Sequence, residues 1–442
     1  MEAETRSPLT SRTILKFYFP LAISWIFMAI EMPVCISAIS RRPNPEINTA
    51  ALLILMNIAL WVESPIIDLL STSTTLAKNR THFLELRSFV TWLIVLVTVA
   101  HALIAFTPLY WGLTEGLIGV THEVAANARV ALQLMLPWAG SIAWRRYLQG
   151  ILIRHGQTRF VGFGTGVRVL AMSLAVFTLY NFTSLPGVEL AGIALICGVA
   201  SEATFIQCAA RGTIRREFAA RHESEHVIPL GTRKLVSFHL PLTLTTLVTL
   251  CSVPIVSAAL ARMPNPILML AAYQVGSSVL WLLRSFTYAL PEVVITLYRD
   301  EQSAKVLKRF CLITGCAASG ILLLLTATGA DQVYFSKVLG TSEEVAQVAH
   351  LAFFAGILLP LIGANQSYVR GMLTAHHLTV SRLTAIGLSM IVLGVVLVIG
   401  VKVQANGVLN AGLALTLALL AELGVLAYSW KKGKAQLEPV IS

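Results

Sequence analysis

The chain has 442 residues, of which 56% are apolar and only 12% are charged, and this balance excludes ordinary soluble enzymes and soluble nucleic-acid-binding proteins. Its formal charge of +11 does not require a polyanionic partner, because membrane proteins concentrate Lys and Arg in their cytoplasmic loops. The apolar runs have the length of membrane-spanning helices, about 20 residues, and lack the alternation of a membrane β-barrel. The composition therefore predicts an all-α integral membrane protein.

Twelve transmembrane helices are predicted from the apolar runs and the charged residues that separate them. In chain order these helices are 14–39, 48–76, 88–110, 125–150, 160–180, 188–210, 235–260, 267–296, 309–328, 345–372, 379–401 and 407–430. The first 12 residues are polar, and the apolar stretch after them is longer than the core of a signal peptide. We therefore expect the first helix to remain in the protein.

The positions of the basic residues predict the orientation of the chain. An even number of helices places both termini on one side, and 25 of the 33 Lys and Arg residues fall at the termini and in the even-numbered loops, with Arg145 and Arg146 counted among them. The basic residues on the other side are Arg41, Arg42, Arg129, Arg262, Lys337 and Lys402. The positive-inside rule then predicts that both termini are cytoplasmic in a multi-pass protein of the plasma or inner membrane.

The second half of the sequence repeats the first. The matches at an offset of 221 residues include Pro20 with Pro241, Pro33 with Pro254, 43–45 with 264–266, Tyr147 with Tyr368, Gly150 with Gly371 and His155 with His376. Each unit has six helices, an even number, so the two copies are expected to be parallel repeats. We predict an N-lobe at 1–210, a basic cytoplasmic linker at 211–234 and a C-lobe at 235–442.

Glu31 is the first ionisable residue within a predicted helix. Such residues cost about 2.5–3.5 kcal/mol each on insertion and usually face a cavity, a partner or a substrate. Glu31 lies two residues before Pro33, and a proline frees a carbonyl and kinks a helix; Ser252 lies before Pro254 in the second repeat. Glu31 is a candidate for coupling to a proton or cation. The alternatives are a structural hydrogen bond at the kink and a position nearer the outer interface.

Glu63 and Arg284 occupy equivalent positions in the second and eighth helices. Opposite charges at positions related by a twofold axis predict an ion pair near that axis, which could act as a gate because a buried pair is costly to leave half-made. The alternative is that each group pairs within its own half of the protein.

Two more ionisable residues at membrane depth complete the main candidates for substrate binding or coupling. Asp68 follows Pro65 in the second helix, and Arg168 lies within the fifth. A guanidinium group binds carboxylate or phosphate through two hydrogen bonds, so Arg168 could bind an anionic substrate. It could equally pair with a nearby acid of the protein.

Two symmetric pairs of residues are secondary candidates. Glu202 and Glu422 recur in the sixth and twelfth helices at an offset of 220, and this symmetry favours helix packing over transport chemistry. His155 and His376 lie at the cytoplasmic ends of the fourth and tenth helices, where they could respond to pH near neutrality or could be ordinary interfacial residues.

The sequence contains no motif that predicts a catalytic or metal site. The six cysteines fall in apolar segments without a C-x-x-C pair, so neither disulfides nor zinc are expected. We expect a protein that is not an enzyme and has no cofactor, although transport could be coupled to H+ or Na+. The expected partners are a small-molecule substrate and the lipid bilayer, with no nucleic acid, and the chain is expected to be a monomer.

Several short stretches resemble a known group of transporters. They are Phe19-Pro20-Leu21, Pro65-Ile66-Ile67-Asp68, Ala143-Trp144, Gly150-Ile151-Leu152 with His155, and Phe160-Val161-Gly162. With two parallel six-helix repeats, each with a proline in its first helix, the chain resembles the multidrug/oligosaccharidyl-lipid/polysaccharide (MOP) exporter superfamily. The number of spans is similar to its multidrug and toxic compound extrusion (MATE) branch. The local sequence is similar to the progressive ankylosis protein family.

The resemblance implies an outward transporter that works by alternating access. The progressive ankylosis branch would imply export of citrate, pyrophosphate, a nucleotide or a similar anion, which agrees with Arg168 and Arg284 at membrane depth. The MATE branch would imply export of drugs or cationic metabolites driven by protons or sodium, which agrees with Glu31, Glu63, Asp68 and Glu202. A lipid-linked precursor flippase is less favoured, because such relatives usually have two more helices.

Overall fold

The computed structural model describes residues 9–219, 228–376 and 381–441, and in these ranges the chain consists of helices and short connections. The α-helices are α1 Ser11–Ile39, α2 Pro45–Ile67, α3 Leu69–Leu76, α4 Arg80–Phe106, α5 Leu109–Trp111, α6 His122–Leu134, α7 Trp138–Arg154, α8 Arg159–Phe182, α9 Gly187–Ile214, α10 Gly231–Leu250, α11 Ser252–Leu260, α12 Pro266–Tyr288, α13 Leu290–Leu297, α14 Glu301–Thr328, α15 Ala330–Val333, α16 Glu343–Gly356, α17 Leu359–Ala375, α18 Ser381–Lys402 and α19 Gly407–Ile441. Short π-helices follow α5, α9 and α15 at Gly112–Ile118, Arg215–Ala219 and Tyr334–Val338.

Eleven helical segments among the described residues are long and apolar enough to cross a membrane. The predicted fourth span, 125–150, is not among them, because it is divided into α6 and α7 by a turn at 135–137 and carries Arg145 and Arg146 in α7. With this divided helix the structure agrees with twelve spans, and the predicted all-α membrane fold is confirmed.

The helix boundaries repeat at the offset of 221 residues seen in the sequence. The helices α3 and α13 begin and end at equivalent residues, and so do α7 and α17. The turns before α2 and α12 also match, since Asn44 and Asn265 have φ angles of 52° and 53°. Each asparagine precedes a proline, which disfavours right-handed helical backbone, and asparagine tolerates the left-handed region. The two parallel six-helix repeats are therefore confirmed.

The two repeats differ in their first helix. In the first repeat α1 is helical without interruption past Pro33, whereas in the second the helix is divided at Cys251, three residues before Pro254. A proline has no N–H group to donate to the carbonyl four residues earlier, and the break adjoins that carbonyl at Leu250.

Contacts divide the described residues into two compact units. Unit 1 draws on Met1–Ile30, Val275–Val338 and Ala346–Ser442, and unit 2 draws on Glu31–Gln274 and Leu339–Val345. Because these divisions do not fall at the linker 211–234, the lobe boundaries taken from the repeats stay a prediction. Residues 220–227 of that linker lie outside the described residues.

Each unit has an apolar core built mainly from the faces of long helices. In unit 1 the core includes Ile14 and Tyr18 of α1, Leu290 and Val293 of α13, and Leu307 of α14. In unit 2 the helices α2, α6, α7 and α9 pack together, with α8 against α9. The packing of α7 against α9 is the feature that positions the polar site described below.

Glycines at equivalent positions allow close helix packing in both repeats. A Cβ atom at Gly150 of α7 would lie 2.6 Å from the backbone oxygen of Leu70 and 1.9 Å from Oγ of Ser73. At Gly371 of α17 it would lie 2.7 Å from the Cβ atom of Val294. Neither glycine can therefore be replaced without separating α7 from α3 or α17 from α13.

We expect the substitution Gly150→Ala to destabilise the protein by about 1–3 kcal/mol, because the added methyl overlaps backbone as well as a side chain. The measurement is reversible unfolding of the purified protein in detergent. Gly166→Ala is the matched control, since a Cβ atom at this helical position meets nothing within 4 Å. Equal stability of the two variants would contradict the packing argument.

Candidate functional site

A buried ion pair joins α1 to α8. Nη2 of Arg168 donates a hydrogen bond to Oε2 of Glu31 at 2.6 Å, and Nε lies 2.5 Å from Oε1 as an ion-pair contact without hydrogen-bond geometry. Both side chains are buried, with exposures of 7% for Arg168 and 3% for Glu31. The pair therefore combines one charge-assisted hydrogen bond with a second close contact between opposite charges. The structure thus brings together two residues that the sequence presents as separate candidates.

A second buried carboxylate, Glu202 of α9, extends this pair into a cluster. Arg145 of α7 donates to Glu202 at 2.6 Å, and the side-chain amide of Gln149, one turn later, donates to its other oxygen at 3.1 Å. Arg168 lies 3.8 Å from the same carboxylate. Glu202 is fully buried in the middle of the apolar span Gly187–Phe218, so the cluster lies at membrane depth.

Glu63 of α2 adds a third acid to this region. Its Oε2 atom accepts a hydrogen bond of 2.7 Å from the indole N–H of Trp138. The charges of Arg146, Arg145 and Arg168 all act on it electrostatically. The guanidinium of Arg168 also lies 5.8 Å from the ring centre of Trp138, within the range of a cation–π contact.

Arg146 is the member of this group without a direct partner. It is half-buried, its Nε atom is buried, and it makes no hydrogen bond or ion pair with the described residues. Its charge interacts at longer range with those of Glu63 and Glu202. A guanidinium carries five N–H donors, so this side chain retains unused hydrogen-bonding capacity.

The second repeat contains a related but smaller arrangement in unit 1. Glu422 of α19 accepts a short ion-pair hydrogen bond from Arg370 and a second hydrogen bond from Gln366, both on α17. Position 366 is equivalent to Arg145 and position 370 to Gln149. The arginine and the glutamine, which lie one helical turn apart, are therefore in the opposite order in the second repeat. Glu202 and Glu422 therefore have the same partners by type, and these partners hold one helix against another.

In the second repeat, Arg284 of α12 occupies the position equivalent to Glu63. It is half-buried, and its guanidinium lies 5.8 Å from the ring centre of Tyr288. It makes no hydrogen bond or ion pair with the described residues, and its Nε atom is buried. The hypothesis of an ion pair between Glu63 and Arg284 stays a prediction.

Asp68 lies in the short break between α2 and α3, outside the cluster. Its Oδ2 atom accepts a hydrogen bond of 2.7 Å from the hydroxyl of Thr246 in α10. Nearby, His239 of α10 is within hydrogen-bonding distance of the carbonyl of Pro65 and the hydroxyl of Thr72. This set of contacts packs α10 against α2 and α3, which points to a structural role for Asp68.

The two candidate histidines cap helices. His155 follows α7 and His376 follows α17, and in each the Nδ1 atom lies 2.9 Å from a carbonyl four residues earlier. His376 also lies 3.2 Å from the hydroxyl of Tyr298. Neither histidine contacts the buried carboxylates, so the structure does not bring them into the candidate site.

Sequence reasoning missed Arg145, Gln149 and Arg146 as site residues. It counted the two arginines with the cytoplasmic end of a helix, but the structure places them within α7, and Arg145 reaches the fully buried Glu202. The available signal was the repeat itself, because both α7 and α17 carry one arginine and one glutamine four residues apart. No group of three or more His, Cys, Asp or Glu side chains in the described ranges could hold a metal ion.

No protein-family model and no curated protein matches the sequence. Solved structures share its fold at low identity. The inward closed conformation of lipid II flippase MurJ superposes with a TM-score of 0.63 at 13% identity, covering 92% of this chain and 86% of that one. A MOP superfamily transporter from Pyrococcus furiosus Vc1 (DSM3638) gives 0.63 at 13% identity, covering 97% and 96%.

The Vibrio cholerae MATE transporter VcmN in its bent form gives a TM-score of 0.56 at 15% identity, covering 95% of this chain and 97% of that one. At such identities the comparisons show the fold, which is the MATE-like fold of MOP superfamily transporters. The similarity to the progressive ankylosis protein family stays a prediction.

The pair between Glu31 and Arg168 predicts strong thermodynamic coupling. We expect Arg168→Met alone to cost about 3–5 kcal/mol, because it leaves a buried carboxylate without its main partner. The double variant Glu31→Gln with Arg168→Met should recover much of this loss. The measurement is a double-mutant cycle of unfolding free energies in detergent, with Glu123→Gln on the exposed start of α6 as the control. A cycle with no coupling would contradict the pair.

Proposed function

We propose that the protein is a secondary transporter that moves a small organic or phosphate anion across the membrane by alternating access. The MATE-like fold supports a transporter, and its resemblance to exporters favours outward movement. Citrate, pyrophosphate and nucleotides are the anions to test first. The choice of an anion rests on Arg146.

Arg146 supports an anionic substrate because it is a cation at membrane depth that makes no hydrogen bond or ion pair with the residues the structure describes. Its neighbour Arg145 binds Glu202, which lies in the middle of a span, so Arg146 is also far from the membrane surface. A half-buried charge that lacks a direct partner is costly in an apolar setting, and a carboxylate or phosphate of the substrate would offset that cost. The planar guanidinium matches both groups through two parallel hydrogen bonds.

Arg168 is less suited to this role than the sequence alone indicates. Its guanidinium is already held by Glu31 and lies near Glu202, so an anion would have to displace a protein carboxylate. Of the two roles that the sequence leaves open for Arg168, pairing with a nearby acid fits these contacts better, and we propose Arg146 for the substrate contact. Arg284 of the second repeat remains a separate candidate on the same grounds, since it also has no ion pair with the described residues.

The alternative is a proton- or sodium-coupled exporter of cationic compounds. In that mechanism Glu31 would bind the coupling ion, but its carboxylate forms an ion pair with Arg168, which donates to Oε2 and lies close to Oε1. A proton or Na+ would have to break this pair before it could bind. The observed pairing thus favours the anion transporter.

The test uses purified protein in liposomes loaded with radiolabelled citrate, pyrophosphate or ATP. We expect the wild type to release at least one of these anions and Arg146→Gln to reduce the rate by more than about tenfold, the loss of a charged hydrogen bond of roughly 1.5–3 kcal/mol. Arg146→Lys should retain part of the rate, because lysine keeps the charge but lacks the planar fork. Arg284→Ala tests the second candidate in the same assay.

Arg211→Gln is the matched control, because Arg211 lies exposed near the end of α9. A wild-type rate for Arg146→Gln would overturn the assignment of this residue. Transport of a cationic drug that is lost in Glu31→Gln, with no release of any anion, would replace the proposal by the cation exporter.

A further inference from the structure

Arg262, which follows α11 in the second repeat, reaches into a connection of the first repeat. Its Nη1 atom donates to the carbonyl of Ile118 at 2.5 Å, and Nη2 donates to the carbonyl of Leu117 at 2.9 Å. These carbonyls end the π-helix Gly112–Ile118. Nη1 also donates to the carbonyl of Ala258, one turn earlier on its own helix, at 2.7 Å.

Arg41, at the equivalent position after α1, makes the reverse contact. Its Nη1 atom donates to the carbonyl of Leu339, at 3.1 Å, just after the π-helix of the second repeat. It also donates to the carbonyl of Ser37, one turn earlier on its own helix, at 2.6 Å. Positions 37, 41, 118 and 339 correspond to 258, 262, 339 and 118 at the repeat offset. The two contacts are therefore the same interaction made in both directions between the repeats.

A glycine at each contact permits the approach of the arginine. Gly119 and Gly340 follow the acceptor carbonyls, with φ angles of 87° and 76° that favour glycine. A Cβ atom at Gly119 would lie 3.1–3.3 Å from the guanidinium of Arg262. At Gly340 it would lie 3.1–3.4 Å from that of Arg41. The glycines thus provide both the turn and the space at both ends.

The chemistry of these contacts suits a reversible closure. The last carbonyls of a helix lack partners within it and carry partial negative charge, so a cation is favoured there. Both arginines are exposed, which keeps each contact modest in strength. Each guanidinium also keeps a carbonyl of its own helix when the contact to the other repeat breaks. Release therefore leaves neither guanidinium without an acceptor.

We propose that Arg41 and Arg262 form a reciprocal clasp, which holds the two repeats together on the side of the membrane opposite the termini and opens when that side opens. The side follows from topology, because each arginine comes one span after the start of its repeat. The clasp rests on the symmetry of these contacts and does not depend on which substrate is transported.

Arg42 provides the matched control for this proposal. It is adjacent to Arg41, and its Nη2 atom donates to the carbonyls of Leu179, Tyr180 and Thr183. All three acceptors belong to the same repeat as Arg42. The replacement of Arg42 therefore removes arginine-to-carbonyl contacts from the same region and leaves the contacts between the repeats in place.

The test measures distances between spin labels at Glu123 and Glu344, which are equivalent exposed residues near the starts of α6 and α16. Genetically encoded keto amino acids carry the labels, so the six native cysteines remain unchanged. We expect the double variant Arg41→Ala with Arg262→Ala to gain a population at longer distance. Each single variant should gain a smaller one, and Arg262→Lys should stay closer to the wild type because lysine still donates to a carbonyl.

Each outcome of this measurement decides the proposal. A longer-distance population in the clasp variants but not in Arg42→Ala supports it. An unchanged distribution in the double variant overturns it, and so does an equal change in Arg42→Ala, which would indicate general loosening. Elution profiles and unfolding temperatures in detergent verify that every variant is folded. Since the measurement needs no substrate, its failure would not bear on anion transport, and failure of anion transport would not bear on the clasp.

Discussion

A carboxylate buried in the apolar interior of a membrane protein must be paired, and this constraint organises the centre of unit 2. Glu202 is fully buried in the middle of a span, where an unpaired charge would be too costly to keep. Its pairing with Arg145 and Gln149 fixes α7 against α9, and the proximity of Arg168 extends the same network to Glu31 on α1. Four helices or helix segments are thus positioned by one set of charges.

The second repeat meets the same requirement with a different order of residues. Glu422 accepts hydrogen bonds from Gln366 and Arg370. The arginine lies one turn later along the helix than in the first repeat, but the set of one glutamate, one arginine and one glutamine is the same. Residues four apart lie on one face of a helix, which is why either order can reach a single carboxylate. What the two repeats share is therefore one charged and one neutral donor on that face, rather than a particular residue at a particular position.

The contacts of the charged residues distinguish those that pair within the protein from those that could bind a substrate. Glu31 and Arg168 form an ion pair, and Asp68 accepts a hydrogen bond from Thr246. Arg146 and Arg284 are left as arginines that make no ion pair with the described residues. After α1 and after α11, Arg41 and Arg262 bind backbone carbonyls of the other repeat instead of acids, so the repeats are joined there by arginine-to-carbonyl hydrogen bonds.

The sequence by itself determined the membrane class, the spans and the parallel repeats, because helix length, apolar content and a constant offset are local properties of the chain. It also determined that Glu202 and Glu422 are equivalent. Only the tertiary structure decided that Arg145 pairs with Glu202, because this contact depends on how α7 follows the turn at 135–137 and packs on α9. It alone decided that Arg168 is held by Glu31, since these residues are 137 positions apart and only the packing of α8 against the first helix brings them into contact.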